Sequence, residues 1–199
     1  MRGELFAYLD GVRAGVFTQT NQGGLTFDYD DDYRADENAT PLSLSMPLIR
    51  RSHKKAAAHA YLKGLLPDSE GRLKELGTRY QVSHRNAFAL LSHVGRDAAG
   101  AVQLLPEGEQ STDAATRTGD VQRHSETEFA EIVRDLVDNA STWGMRGAGQ
   151  WSLPGAQPKT ALLRTDDGEW ATPLDSTPTP HIINPAVPPY TEHHINEFM

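Results

Sequence analysis

The stretch Trp151-Ser152-Leu153-Pro154-Gly155-Ala156-Gln157-Pro158-Lys159-Thr160-Ala161-Leu162-Leu163 is the most informative part of this chain. Its centre is small and flexible, and an apolar run, an Asp166-Asp167-Gly168 turn and Trp170 follow. That order predicts a loop, a strand, a tight turn and a second strand. Such a loop lets backbone N–H groups approach a ligand, and amide donors together with one lysine suit a phosphate. The stretch therefore indicates an anion-binding loop that leads into a β-hairpin.

The residues on either side of this loop predict a helix and one more strand. Ser125 and Glu128 have the spacing of a capping box, in which each side chain satisfies a backbone N–H at the helix start. Apolar residues then recur on one helix face; they are Phe129, Ile132, Val133, Leu136 and Val137. Beyond the loop, the Pro-rich segment 173–190 contains one apolar strand, at residues 181–183. The C-terminal part of the chain therefore combines a helix with three strands.

The N-terminal part mixes strand and helix signals. Its alternating and helix-spaced apolar residues predict strands over 4–9, 12–17, 25–29 and 101–105, and helices over 55–66, 72–76 and 86–94. Asp10-Gly11 is a strong signal for a hairpin between the first two strands. Pro41 and Pro47 bracket a segment that we expect to be extended. These signals together predict an α+β fold.

Composition restricts the kinds of protein that this chain can be. Its 199 residues carry 19 basic and 27 acidic side chains, a net charge of −8, which disfavours direct binding to nucleic acid. The absence of cysteine excludes disulfides, thiolate zinc sites and cysteine nucleophiles. No run approaches the roughly 20 apolar residues of a membrane span, and no signal peptide is recognisable, so we expect a cytoplasmic protein. No metal site is expected, because His193, His194 and Glu197 match no metal-binding motif.

Four segments occur together in an order that points to a known family. They are Pro41–Leu48, Gly64–Asp68 with Arg72 after it, Gly95–Val102, and Ser152–Leu163 continued by residues 177–183 and by Asn196-Glu197. With these segments the chain resembles the HipA-like serine/threonine protein kinases, the toxin half of a bacterial toxin–antitoxin pair. The segments are spread over most of the chain, from residue 41 to residue 197.

The resemblance implies how the chain is divided. It implies a small, mixed, β-barrel-like N-terminal subdomain over residues 1–106. The polar, apolar-poor residues that follow give a linker over 107–124. Residues 125–199 then form an incomplete protein-kinase-like N-lobe, which contains the Gly-rich loop.

The resemblance also implies roles for individual residues. The loop over the phosphates of Mg-ATP consists of Pro154, Gly155, Ala156, Gln157, Pro158 and Lys159. Ser152 stands where the family has an autophosphorylation site, whose modification displaces the loop. Glu197 stands where a helix glutamate pairs with the nucleotide-binding lysine. That lysine, directly after the His-Ile-Ile segment, is replaced by Asn184 here, and asparagine has no charge to neutralise phosphate.

The catalytic Asp and the magnesium-binding residues of the family belong to a C-lobe, and no residue of this sequence matches them. We therefore expect a HipA-like toxin component, an ATP-dependent kinase by resemblance, which is truncated before the catalytic lobe and inactive alone. Its implied partner is a HipB-like helix-turn-helix antitoxin. Two alternatives stay open: a non-catalytic binding module that docks on an antitoxin or on a separate kinase C-lobe chain, and a decayed gene product.

Overall fold

The Asp10-Gly11 turn closes the first hairpin of the chain, as the sequence predicts. A computed structural model describes residues 3–98, 101–109, 111, 121–138, 153, 157–173 and 181–188. In it, β1 (Gly3–Leu9) pairs antiparallel with β2 (Val12–Gln19). Both turn residues have positive φ, 50° at Asp10 and 81° at Gly11, as a two-residue turn between twisted strands requires. The predicted hairpin is confirmed.

The first sheet extends this hairpin to five strands. β3 (Leu25–Tyr29), β4 (Ser52–His53) and β5 (Val102–Pro106) complete an antiparallel sheet in the order β4-β3-β2-β1-β5. The expectation of a barrel-like subdomain is wrong, because the sheet is open: β4 and β5 form its two edges and do not pair with each other within the described residues. A barrel needs its edge strands to form a ladder, and β4 has only two residues.

Four helices connect the strands of the first sheet. They are α1 (Asp31–Ala35), α2 (Lys55–Gly64), α3 (Glu70–Tyr80) and α4 (Ala87–Val94). α3 is longer than the predicted 72–76, because the Ser69 hydroxyl accepts the backbone N–H of Arg72 and starts the helix earlier. The left-handed Gln81, with φ 56°, ends it. The predicted range is shorter because Leu73 and Leu76, the apolar residues on which the prediction depends, lie in the middle of α3.

The core of this part lies between the sheet and the helices α2 and α4, which contact β3 and β5. The rings of Phe17 and Phe27 pack with centroids 4.4 Å apart, and Tyr29 meets Phe27 edge-on at 4.7 Å. The largest fully buried side chains include Tyr29, Phe17, Phe27, Leu5, Met46, Leu62, Leu76, Leu90 and Leu91. Aromatic rings of neighbouring strands therefore fill the centre of the core.

The segment between Pro41 and Pro47 is a tight turn, so the expectation of an extended segment is wrong. The Met46 N–H donates to the Ser43 carbonyl at 2.9 Å, and the two residues form an isolated β-bridge. The buried Tyr29 hydroxyl holds this turn: it accepts the Leu42 N–H at 2.8 Å and donates to the Met46 carbonyl at 2.7 Å. A side chain from β3 therefore holds both ends of the turn between the two prolines.

A second antiparallel sheet lies in the C-terminal part. β6 (Val121–His124), β7 (Thr160–Arg164), β8 (Trp170–Pro173) and β9 (His181–Ile183) have the order β6-β8-β7-β9. Residues 107–124, interpreted from the sequence as a linker, include β6 at their end. The division of the chain into domains stays a prediction.

Helix α5 (Glu126–Asp138) follows β6 and has the predicted capping box. The Ser125 hydroxyl accepts the Glu128 N–H at 3.3 Å, and the Glu128 carboxylate accepts the Ser125 N–H at 2.8 Å. The carboxylate also accepts the Ser125 hydroxyl at 2.8 Å. The bonds that it accepts from the Ser125 N–H and from the Ser125 hydroxyl lower the pKa of Glu128, since they favour its charged form. None of the helices in the described ranges is both long and apolar enough to cross a membrane.

Candidate functional site

The pairing of β7 with β9 brings two of the predicted site residues to the same end of the second sheet. Thr160 pairs with Ile183, Ala161 with Ile182 and Leu162 with His181. Because the strands are antiparallel, Lys159 just before β7 and Asn184 just after β9 lie next to each other at the strand ends. The residue expected to bind phosphate and the position of the missing lysine are therefore neighbours.

A hydrogen bond joins the two sides of this site directly. The Asn184 amide donates to Gln157 Oε1 at 2.5 Å. Pro158 between Gln157 and Lys159 is buried, whereas Asn184 is exposed. The last residues of the loop are therefore fixed against the end of β9 by an amide pair and a buried proline.

A small apolar cluster fixes the approach of the loop to the sheet. Leu153, directly before the predicted loop, is buried together with Leu136 of α5 and Ala161 of β7. Its side chain ties the loop sequence to the helix and to the strand that flank it. The amphipathic face predicted for α5 therefore contributes to this cluster through Leu136.

Several of the predicted site residues lie outside the described residues. They are Ser152, Pro154, Gly155, Ala156 and Glu197. His193 and His194, which match no metal-binding motif, also lie outside the described residues. Within the described part of the chain, the structure brings Gln157, Pro158, Lys159 and Asn184 together. The sequence analysis does not predict the contact between Gln157 and Asn184. Its only indication is that one predicted strand follows Gln157 and another ends just before Asn184.

The other end of the second sheet has a structural role. Trp170 of β8 stacks on Phe129 of α5, with ring centroids 5.1 Å apart, and meets His181 edge-on at 5.4 Å. Arg123 forms ion pairs with Asp167 and Glu169, each at 2.9 Å. Its hydrogen bonds to these two carboxylates raise the pKa of Arg123, and the bond to Glu169 has the larger effect. These contacts fasten α5 and the β7–β8 turn to the sheet.

The chemistry available at the β7–β9 end is that of anion binding. Lys159 supplies one positive charge, and the amides of Gln157 and Asn184 supply neutral hydrogen-bond donors. In this structure Nδ2 of Asn184 donates its hydrogen bond to Gln157. These donors fit the oxygens of a phosphate group. The described residues contain no group of three or more His, Cys, Asp or Glu side chains able to hold a metal ion.

The chain is similar in sequence to one family model and to proteins that are named as kinases. The family model described as "HipA N-terminal domain" matches residues 5–105. The protein named "Putative kinase Y4mE" from Sinorhizobium fredii is 37% identical over 190 residues, which are 92% of this chain and 43% of that protein. The "Serine/threonine-protein kinase toxin HipA" of Shewanella oneidensis is 28% identical over 190 residues, 89% of this chain and 40% of that protein. The chain thus spans less than half the length of these curated relatives.

Proposed function

The chain belongs to the HipA family, and from this membership we propose that it is the nucleotide-holding, N-terminal portion of a HipA-like toxin kinase. The observation that carries the proposal is the convergence of Gln157, Lys159 and Asn184 at one end of the second sheet. The proposed activity is transfer of a phosphoryl group from Mg-ATP to a protein serine or threonine. The proposed partner is a HipB-like helix-turn-helix antitoxin.

In this proposal each loop residue has a distinct task. Backbone N–H groups at Gly155 and Ala156 hold phosphate oxygens, and the Lys159 ammonium balances their charge. Gln157 positions the loop against β9 through its bond to Asn184. Bound Mg-ATP supplies the phosphoryl group that is transferred. Ser152 is the proposed autophosphorylation site, and Glu197 is the proposed partner of the nucleotide-binding position.

Substitution of Lys159 by glutamine is expected to lower the affinity for ATP about tenfold or more. The substitution removes the only charged side chain among Gln157, Lys159 and Asn184, and a tenfold loss corresponds to about 1.4 kcal/mol. Calorimetric titration with ATP, with and without magnesium, measures the effect. Arg164→Gln is the matched control, because exposed Arg164 lies at the opposite end of β7. Equal losses in both variants would show that the overall charge, and not this loop, determines binding.

A polypeptide of residues 1–199 is expected to bind ATP without transferring its phosphate. Its sequence supplies the proposed loop, and it spans 43% and 40% of two kinase-named relatives. Incubation with labelled ATP, followed by separation of the protein, measures the transfer. Label in the chain, located by mass spectrometry at Ser152 or elsewhere, would contradict the expectation.

The neutral Asn184 supports a second candidate function, a non-catalytic module that docks on an antitoxin or on a separate kinase C-lobe chain. An asparagine in place of the expected lysine weakens phosphate neutralisation without disturbing the strand pairing around it. The calorimetric titration separates the two functions. Measurable ATP affinity supports the nucleotide-holding role, and its absence in a folded chain supports the docking module.

A further inference from the structure

A cleft of about 350 Å³ lies on the first part of the chain. Its walls come from α2, from the start of α3 and from the segment before α4. The polar wall includes His59 and Lys63 of α2 and His84 and Arg85 of the segment before α4. The sequence pattern does not predict that His59 and His84 lie together, because 25 positions separate them in the chain. The fold brings them to one opening.

Three basic side chains of this cleft are available to a ligand. Residues 59 and 63 are four apart on α2, so their side chains share one helix face. His59, Lys63 and Arg85 are exposed. Within the described residues their side chains form no hydrogen bond or ion pair with the protein. Lys63 and Arg85 therefore present positive charges that form no hydrogen bond or ion pair within the described residues, in a chain whose net charge is −8.

Glu70, which lines the cleft, forms an ion pair with Lys74 of the same helix at 2.9 Å. A hydrogen bond from Lys74 is the main reason why the pKa of this carboxyl is lowered, and His84 and Arg85 contribute to the lowering. The N-termini of α3 and α4, with their caps Ser69 and Asn86, adjoin the same cleft. Helix N-termini favour negative charge. Lys63, Arg85 and these two helix ends therefore favour an anionic group on their side of the cleft.

The remaining lining residues restrict what kind of anion fits. Asp68 and Glu70 also line the cleft, and they oppose a doubly charged phosphate more strongly than a single carboxylate. Their oxygens are acceptors for the N–H groups of a peptide backbone. The floor is apolar, with Leu66 buried and Leu73 half-buried. A carboxylate next to an aliphatic side chain matches this combination.

We propose that the cleft binds an acidic segment of a partner protein, in which an Asp or Glu side chain pairs with the cations at Lys63 and Arg85. A neighbouring aliphatic side chain packs on Leu66 and Leu73. This inference does not depend on the nucleotide loop, because all of its residues belong to the first part of the chain.

The test is an NMR titration of the isotope-labelled 1–199 chain with the capped peptide acetyl-Gly-Leu-Glu-Leu-Gly-amide. Saturable shifts are expected at the backbone amides of residues 59, 63, 84 and 85. The double variant Lys63→Gln/Arg85→Gln is expected to lose at least about fivefold in affinity, because two charge-assisted contacts are removed. The matched control Lys55→Gln/Arg79→Gln changes exposed cations of α2 and α3 outside the cleft and is expected to bind as the unmodified chain does.

Three outcomes would overturn the proposal. The first is equal binding of the same peptide with glutamine in place of glutamate, which would remove the role of charge. The second is tighter binding of inorganic phosphate than of the peptide at the same ionic strength, which would assign the cleft to a different anion. The third is the absence of saturable shifts in these four residues while the spectrum shows a folded chain.

Discussion

Substitution of Gly15 by alanine is expected to destabilise the N-terminal sheet by about 3 kcal/mol or more. A Cβ atom at this position would lie 2.2 Å from the carbonyl oxygen of Asp28 and 2.8 Å from Cα of Tyr29. Both are backbone atoms of β3, and Gly15 pairs directly with Tyr29 in the sheet. The added methyl group can be accommodated only if β2 and β3 separate, which disrupts the aromatic core beneath them.

Thermal and denaturant unfolding of the two glycine variants measures this effect. Gly64→Ala is the matched control, because no atom lies within 4 Å of the Cβ that it adds at the end of α2. It is expected to leave stability unchanged or to raise it by up to about 1 kcal/mol, since alanine favours helix more than glycine does. A melting temperature of Gly15→Ala within about 2 °C of the unmodified chain would mean that β2 and β3 are not packed as described.

Substitution of Asn184 by lysine is expected to raise the affinity for ATP about tenfold or more. Position 184 adjoins Lys159 across the ends of β7 and β9, and Asn184 is exposed, so a longer side chain has room. A second ammonium there adds a point charge toward phosphate oxygens. This gain outweighs the loss of the amide bond to Gln157, because a neutral hydrogen bond at an exposed site contributes about 1 kcal/mol or less.

Calorimetry of Asn184→Lys and Asn184→Met separates charge from shape. Methionine has a similar length and no charge, so it is expected to leave the affinity unchanged or slightly reduced. The gain from lysine is also expected to shrink as salt is added. Equal effects of both substitutions would mean that removal of the Gln157 contact, and not charge, controls binding. No gain with lysine would argue against a phosphate at this end of the sheet.

The local features of the fold could be predicted from the sequence because neighbouring residues determine them. The Asp10-Gly11 turn requires positive φ at two adjacent positions, and few residues tolerate that. The capping box from Ser125 to Glu128 acts over three residues. The strands around the β7–β8 turn follow from a polar, glycine-containing turn between apolar runs. In each case the physical cause lies within one turn or one helix end.

Features that depend on distant residues could not be predicted in the same way. The turn before Pro47 is set by a hydroxyl on Tyr29, whose contribution no local propensity reveals. The open sheet results from the short β4, whose length depends on the pairing partner. At the candidate site, Gln157 and Asn184 meet only because β7 and β9 pair in one register. The cleft lined by His59 and His84 likewise requires the packing of three helices.

The contacts of Tyr29 have a consequence for the order of events during folding. Its hydroxyl reaches backbone groups of Leu42 and Met46, so the turn between them is moulded on β3. Leu44 at the tip of this turn is 95% exposed, whereas Met46 at its end is fully buried in the core. Tyr29 and Met46 lie 17 residues apart in the chain. Bringing them together carries an entropic cost before any contact compensates for it. The turn can therefore be complete only once β3 has placed the Tyr29 hydroxyl between Leu42 and Met46.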